Sequence, residues 1–271
     1  GLVYGLDGAL APIGLLGAYA AVTVTPAMSL LSLPLCAMLA WLANERRARI
    51  DQALELSSAY RGTALLLGDV VEAADAYTGS HSRGVVDLAL AVSERLGLDR
   101  TQQRNVEFGA LLHDVGKIAV PNEILNKPGP LDESEWEIIR RHTVEGERML
   151  NRVGGVLGDV GRIVRSSHEH YDGRGYPDGL FAEEIPIEAR VISCCDAYSA
   201  MTTDRAYRTA MATSAALAEV SRCAGTQFDP GVAATLVEVV RDSAAVPYSS
   251  ASTASSSATT SPSRRMAASP S

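Results

Sequence analysis

Leu111-Leu112-His113-Asp114-Val115-Gly116-Lys117-Ile118 is the stretch on which the reading of this chain turns. An apolar run from Phe108 to Leu112 ends in an imidazole and a carboxylate side by side, followed by Val-Gly-Lys. Neighbouring ligands at a helix end let the imidazole bind one metal while the carboxylate bridges to a second. A lone histidine would more often be structural. Here five histidines, His81, His113, His142, His168 and His170, fall in one helical region close to acidic residues. Imidazole with carboxylate suits iron, manganese, nickel or zinc, and a hydrolytic site uses such ions to generate hydroxide near neutral pH.

Outward from that stretch, the sequence from Ser82 to Val240 reads as helix after helix. Val85, Leu88, Ala89, Val92 and Leu96 form one apolar stripe, and Ile138, Ile139, Met149 and Leu150 belong to another. Asp132 with Glu135 three residues later makes a capping box, and Asp229-Pro230 places an N-cap before a first-turn proline. The expected fold is all-α, with the domain at 69–242. From 243 to 271 the chain is rich in Ser, Ala and Thr, cannot bury enough apolar surface to offset ordering entropy, and is expected to be disordered.

On the other side, no charged side chain occurs between Asp7 and Glu45. Because a spanning helix needs about 20 apolar residues, residues 1–44 are read as a membrane segment of two short spans broken near Thr23-Val24-Thr25-Pro26. Arg46, Arg47 and Arg49 follow it, which by the positive-inside rule holds the downstream chain in the cytoplasm. The expectation is a protein of the cytoplasmic membrane. Residues 45–68 read as a connecting helix through which two copies would pair, although Gly62 and Gly68 weaken its heptad.

Composition limits the alternatives. The 271 residues suffice for one sizeable domain with added segments, and a net charge of −8 with pI near 5.2 excludes a protein that coats polymeric nucleic acid. Any anionic substrate must meet locally placed positive charge. The cysteines Cys36, Cys194, Cys195 and Cys223 have no C-x-x-C spacing and read as small buried apolar residues.

The motif at 111–118 resembles the signature of HD-domain metal-dependent phosphohydrolases. His168-Glu169 followed by Asp172-Gly173-Arg174-Gly175-Tyr176-Pro177 resembles the second signature of the HD-GYP subgroup. Tyr77-Thr78-Gly79-Ser80-His81-Ser82, Lys127-Pro128-Gly129, His142 four residues before Gly146, Asp196-Ala197-Tyr198, Asp204-Arg205 and Phe228-Asp229-Pro230 fall in the same order as in that family. The resemblance implies an HD-domain helical bundle with a GYP-loop extension, preceded by the transmembrane and connecting helices. It implies a phosphodiesterase opening cyclic di-GMP to linear pGpG, and on to GMP, through a hydroxide held between two divalent transition metal ions, iron or manganese before nickel or zinc. His81, His113, Asp114, His142, His168 and Asp196 become the metal ligands, with Asp114 bridging. Lys117 becomes a catalytic cation; Tyr176, Arg205 and Arg208 become substrate contacts; and the GYP loop becomes a docking point for a signalling partner.

The match has gaps. Tyr77 stands where some three-metal members carry glutamate, which argues for two metals. Ser167 stands where many members carry the first of two consecutive histidines, leaving His168 alone, with water or His170 to fill the position. Ser199 and Ala206 replace a frequent aspartate and proline. A different nucleotide substrate, or binding without turnover, stays open at this level.

Overall fold

Asp99 begins the helix that carries the decisive motif. Its carboxylate accepts from the Thr101 and Gln102 backbone N–H groups while the Gln102 side chain accepts from the Asp99 N–H, a capping box that fixes where the helix starts. In the computed structural model, described for residues 19, 26–74, 81–204 and 209–245, with backbone alone at 26–33, 35, 72–74, 81–83 and 244–245, that helix is α3 (Arg100–Leu112). Before it come α1 (Pro26–Ala74) and α2 (His81–Arg95). After it come a 3-10 turn (Val115–Ala119), α4 (Asn122–Leu125), α5 (Glu133–Arg140), α6 (His142–Val153), α7 (Val156–Arg165), a second 3-10 turn (Ala182–Glu184), α8 (Ile187–Thr202), α9 (Thr213–Arg222) and α10 (Pro230–Ala245). Among the described residues extended pairing is confined to two isolated bridges, Asp172 with Phe181 and Ala224 with Phe228. The fold is all-helical.

Helix α3 lies at the centre, packed by α1, α2, α7 and α8, while α6 and α7 form an antiparallel pair and α10 closes over α2 and α9. The stripe read on α2 faces this core: Val85, Ala89 and Val92 are fully buried, with Leu88 and Leu96 packed at its margin. Val106 and Leu112 from α3, Val160 and Val164 from α7, and Val191 and Ile192 from α8 fill the middle. Burial of each such side chain is worth roughly 1.5–3 kcal/mol, so the central helix and everything at its C-terminal end are firmly held. Cys194, Cys195 and Cys223 are free and buried in this core. Both expected helix starts are present: the Asp132–Glu135 capping box opens α5, and Asp229 accepts from the Gly231 and Val232 N–H groups at the head of α10.

The N-terminal half-picture differs from the expectation. The connecting segment at 45–68 is part of one continuous helix, α1, that begins at Pro26 and runs to Ala74. After Pro34 no proline interrupts it, and its last turns dock by burying Ala64 and Val71 and by an ion pair of Arg61 with Glu107 on α3. Among the described residues no helix is long and apolar enough to cross a membrane, so the expected second span finds no support there. The first span, at 1–18 and 20–25, lies outside the described residues, as do Tyr77 and the tail beyond 245.

Candidate metal centre

The core delivers His113 and Asp114 to the end of α3, where the helix stops and the chain turns into the tighter Val115–Ala119 segment. That turn presses on the start of α6. A Cβ at Gly116 would lie 1.8 Å from the His142 carbonyl oxygen and 2.6 Å from the Gly146 nitrogen, so only glycine lets the two backbones meet. The contact brings His142 to Asp114. His168, just beyond α7, and Asp196, on α8, complete the group.

Asp114, His142 and His168 each offer a ligand atom within 4.8 Å of the others. His113 Nε2 lies 3.5 Å from Asp114 Oδ2 and 3.6 Å from Asp196 Oδ1, and His142 Nε2 lies 3.6 Å from Asp114 Oδ1. These are separations of atoms facing a shared centre, longer than good hydrogen bonds. The second ring nitrogens explain the orientation. His113 Nδ1 is 2.8 Å from the Ala110 carbonyl and His142 Nδ1 is 2.7 Å from the Ile139 carbonyl. A carbonyl can only accept, so in the neutral ring Nδ1 carries the proton and Nε2 presents its lone pair inward.

His142 Nε2 and His168 Nε2 are buried without a hydrogen-bond partner among the described residues. Buried polar atoms are rarely left so, and imidazole lone pairs flanking a carboxylate are the donor set a first-row divalent cation takes. The residues therefore fit metal ions. Electrostatics agrees with a cation site. Burial opposes charge on His113, but Asp114 and Asp196 outweigh it and raise its pKa to about 9. Burial would raise Asp114, yet Lys117, His113 and His142 hold it well below the usual carboxylate range. Burial lowers His142, and burial together with His142 lowers His168 to about 3. His168 thus stays neutral and available at ordinary pH.

Lys117 reaches back one turn, its Nζ 2.8 Å from Asp114 Oδ2. The turn is a 3-10 one, and it places the ammonium on the Asp114 carboxylate. Tyr176 lies over this group, its ring stacked on His168 at 5.2 Å between centroids and 12° between planes, with His142 edge-on at 6.5 Å. Burial raises its phenol pKa above the ordinary value. Ser167 donates its hydroxyl to the Val164 carbonyl at the end of α7, and His170 does not join the group of Asp114, His142 and His168. His81 opens α2, but its side chain lies outside the described residues, as do Arg205 and Arg208. The structure also adds residues that the sequence reading did not single out. The Arg140 guanidinium lies 5.9 Å from the Tyr176 ring centroid, on a cation–π approach. Arg165 makes a two-pronged pair with Asp178 and reaches Glu147.

A family model described as an HD domain matches residues 65–232. The chain belongs to the HD-domain family. Over 193 residues it is 38% identical to the cyclic di-GMP phosphodiesterase response regulator RpfG of Xanthomonas campestris pv. campestris, covering 69% of this chain and 51% of that protein. Over 169 residues it is 35% identical to the 3'3'-cGAMP-specific phosphodiesterase 3 of Vibrio cholerae, covering 62% of this chain and 36% of the relative. The HD-domain chain thus spans about half, or less, of the relatives it matches. Among solved structures, that of a cyclic GMP-AMP specific phosphodiesterase of V. cholerae, V-cGAP3, superposes with a TM-score of 0.51 at 16% identity, over 66% of this chain and 49% of that one. This likeness speaks for the HD-domain fold alone.

Proposed function

We propose that the chain is a metal-dependent phosphodiesterase that opens cyclic di-GMP to linear pGpG. The observation that carries the reading is the pair of buried Nε2 atoms of His142 and His168, without a hydrogen-bond partner among the described residues and set around Asp114. His113, Asp114, His142, His168 and Asp196 would hold two divalent metal ions, with His81 as a sixth ligand. When bound, such ions lower the pKa of water and neutralise charge on phosphoryl oxygens. Asp114 sits between the histidines and can serve both positions. Lys117, paired to Asp114, would offer its ammonium to the phosphate as charge builds on it. Tyr176, its ring stacked on His168 with the Arg140 guanidinium over it, would meet the guanine base through its phenol and ring edge. Arg205 and Arg208 remain the proposed contacts for the second phosphate.

Two neighbouring readings have specific support. The likeness to a 3'3'-cGAMP-specific relative favours a hybrid dinucleotide as an alternative substrate, and the engagement of Ser167 by Val164 favours binding without turnover. One chromatographic assay separates them. The full chain, loaded with Mn2+, is incubated with cyclic di-GMP, 3'3'-cGAMP and linear pGpG beside an Asp114→Ala control. Linear product from cyclic di-GMP, absent in the control, supports the proposal; preferential loss of 3'3'-cGAMP moves the substrate; no product with retained ligand binding leaves a receptor.

The uncharged stretch from Gly8 to Asn44, followed by Arg46, Arg47 and Arg49, keeps membrane attachment with a cytoplasmic domain within this proposal. A reporter fused after Arg49 tests it, periplasmic exposure being the contrary result. The exposed Ile50, Leu54, Leu66 and Val70 on α1 likewise motivate pairing of two copies along this helix, to be read by light scattering. Exposed Phe181 beside the GYP loop is the proposed point for a protein partner there.

A further inference from the structure

Glu169 follows the ligand His168 directly and is almost fully buried, at 2% exposure. Its partners are all main-chain donors of one loop. Oε1 accepts from the Asp178 N–H at 2.7 Å and the Gly179 N–H at 3.2 Å, and Oε2 accepts from the Leu180 N–H at 3.1 Å. The other limb of the same loop folds onto the Glu169 backbone: a Cβ at Gly175 would lie 2.4 Å from Glu169 Cα and 2.1 Å from the His170 nitrogen. Between the two limbs stands Tyr176, its own N–H donating to the His168 carbonyl at 3.2 Å and its ring stacked on the His168 imidazole. Arg165 grips Asp178 from outside.

We propose that Glu169 is a positioning residue of the site: its carboxylate gathers the N–H groups of residues 178–180 and so holds Tyr176 against the ring of His168. Three donors converging on one buried side chain need a group with two accepting oxygens. Glutamine has the same shape and one acceptor, and its amide would turn a second set of N–H donors towards the Leu180 N–H. The loop would then be released from one side while the fold, whose core is built around α3, stays intact. Glu169 meets no substrate and no metal in this role; it acts through Tyr176.

The role of the loop in turnover rests on the phosphodiesterase reading, so the test has one arm independent of it. In the metal-free full chain, Glu169→Gln is expected to speed tryptic cleavage after Arg174, at the exposed tip of the loop, about tenfold or more, because native-state cleavage tracks local opening. In Mn2+-loaded protein with cyclic di-GMP, Glu169→Gln is expected to lower kcat/KM about tenfold, as expected for a misplaced contact. In a Tyr176→Ala background the same change should cost less than about twofold, since residues acting as a unit are not additive. Glu169→Asp, which keeps both oxygens on a shorter arm, should restore part of each effect and serves if Glu169→Gln does not fold. Unchanged cleavage after Arg174 overturns the proposal whether or not the protein hydrolyses the dinucleotide. A full, additive loss in the Tyr176→Ala background overturns the coupling to Tyr176.

Discussion

Gly116→Ala adds one methyl group where the Val115–Ala119 turn meets α6, and the structure fixes what that methyl strikes. It would sit 1.8 Å from the His142 carbonyl oxygen, 2.6 Å from the Gly146 nitrogen and 2.8 Å from the His142 carbonyl carbon. All three are backbone atoms, so no rotamer change relieves the clash, and the turn must retreat from α6 by more than about 1 Å to reach ordinary contact. Asp114 precedes this turn and His142 opens α6, so the retreat separates two of the three grouped side chains. Overpacking of this kind costs about 1–3 kcal/mol, and for a domain of this size 1 kcal/mol corresponds to roughly 2–4 °C in Tm. A 1 Å displacement of a reacting group costs about 100-fold in rate. The expected result is a midpoint lower by several degrees, weakened Mn2+ binding and kcat/KM reduced about 100-fold, read by circular dichroism melts, metal titration and product chromatography. Gly62→Ala on α1 is the control, since among the described residues nothing beyond the adjoining backbone lies within 4 Å of the added Cβ; it should be neutral or stabilising by about 1 kcal/mol. If Gly116→Ala matches the wild type in midpoint and metal affinity, the turn does not set the ligand geometry.

Three further outcomes are expected. In metal-free protein the two histidine shifts act on opposite sides of neutrality. His113, raised to about 9, contributes stability that is present below about pH 6.5 and lost as pH rises towards 9. His168, lowered to about 3, contributes stability present above about pH 6.5 and lost as pH falls; Tm against pH should therefore peak near 6.5, and a His113→Gln variant whose alkaline limb stays as steep as the wild type would refute the assignment. Lys117→Met removes the ammonium that competes for Asp114, so metal affinity should hold or rise while kcat falls about 10- to 100-fold; a fall in metal affinity with kcat unchanged would reverse the roles. Asp229→Ala removes the N-cap of α10 and leaves the Arg190 guanidinium buried without its carboxylate, which should destabilise by about 3 kcal/mol in urea unfolding; a loss under about 0.5 kcal/mol would mean the pair is solvated.

Much of the site was legible because it is written in side chains with few other uses. The His113-Asp114 dipeptide ends a buried helix as its apolar run implied, and Asp132 and Asp229 start helices because their carboxylates accept from the backbone N–H groups that follow. What escaped is tertiary or main-chain in origin. The 3-10 form of the turn after Asp114 is set by the close approach to α6 at Gly116, which no local pattern announces. Glu169 was part of a recognised motif, yet its partners are backbone N–H groups, identical at every non-proline position, so its task could not be read from the letters. Arg140 reaches Tyr176 across 36 positions of sequence. The boundary drawn between a membrane segment and a connecting helix does not interrupt α1, because a charged run of Arg46, Arg47 and Arg49 changes solvent preference without breaking helical hydrogen bonds.

The account stands or falls on whether the histidine-carboxylate group binds metal and whether bound metal switches on phosphodiester cleavage. Calorimetric titration of metal-free full chain with Mn2+, with cyclic di-GMP turnover followed at each loading, measures both together. Expected is saturable binding with proton release from the group around His113, pGpG production rising with occupancy, and loss of both in His142→Ala and Asp114→Ala. Saturated metal without any linear product, or turnover indifferent to metal and to Asp114, would contradict it.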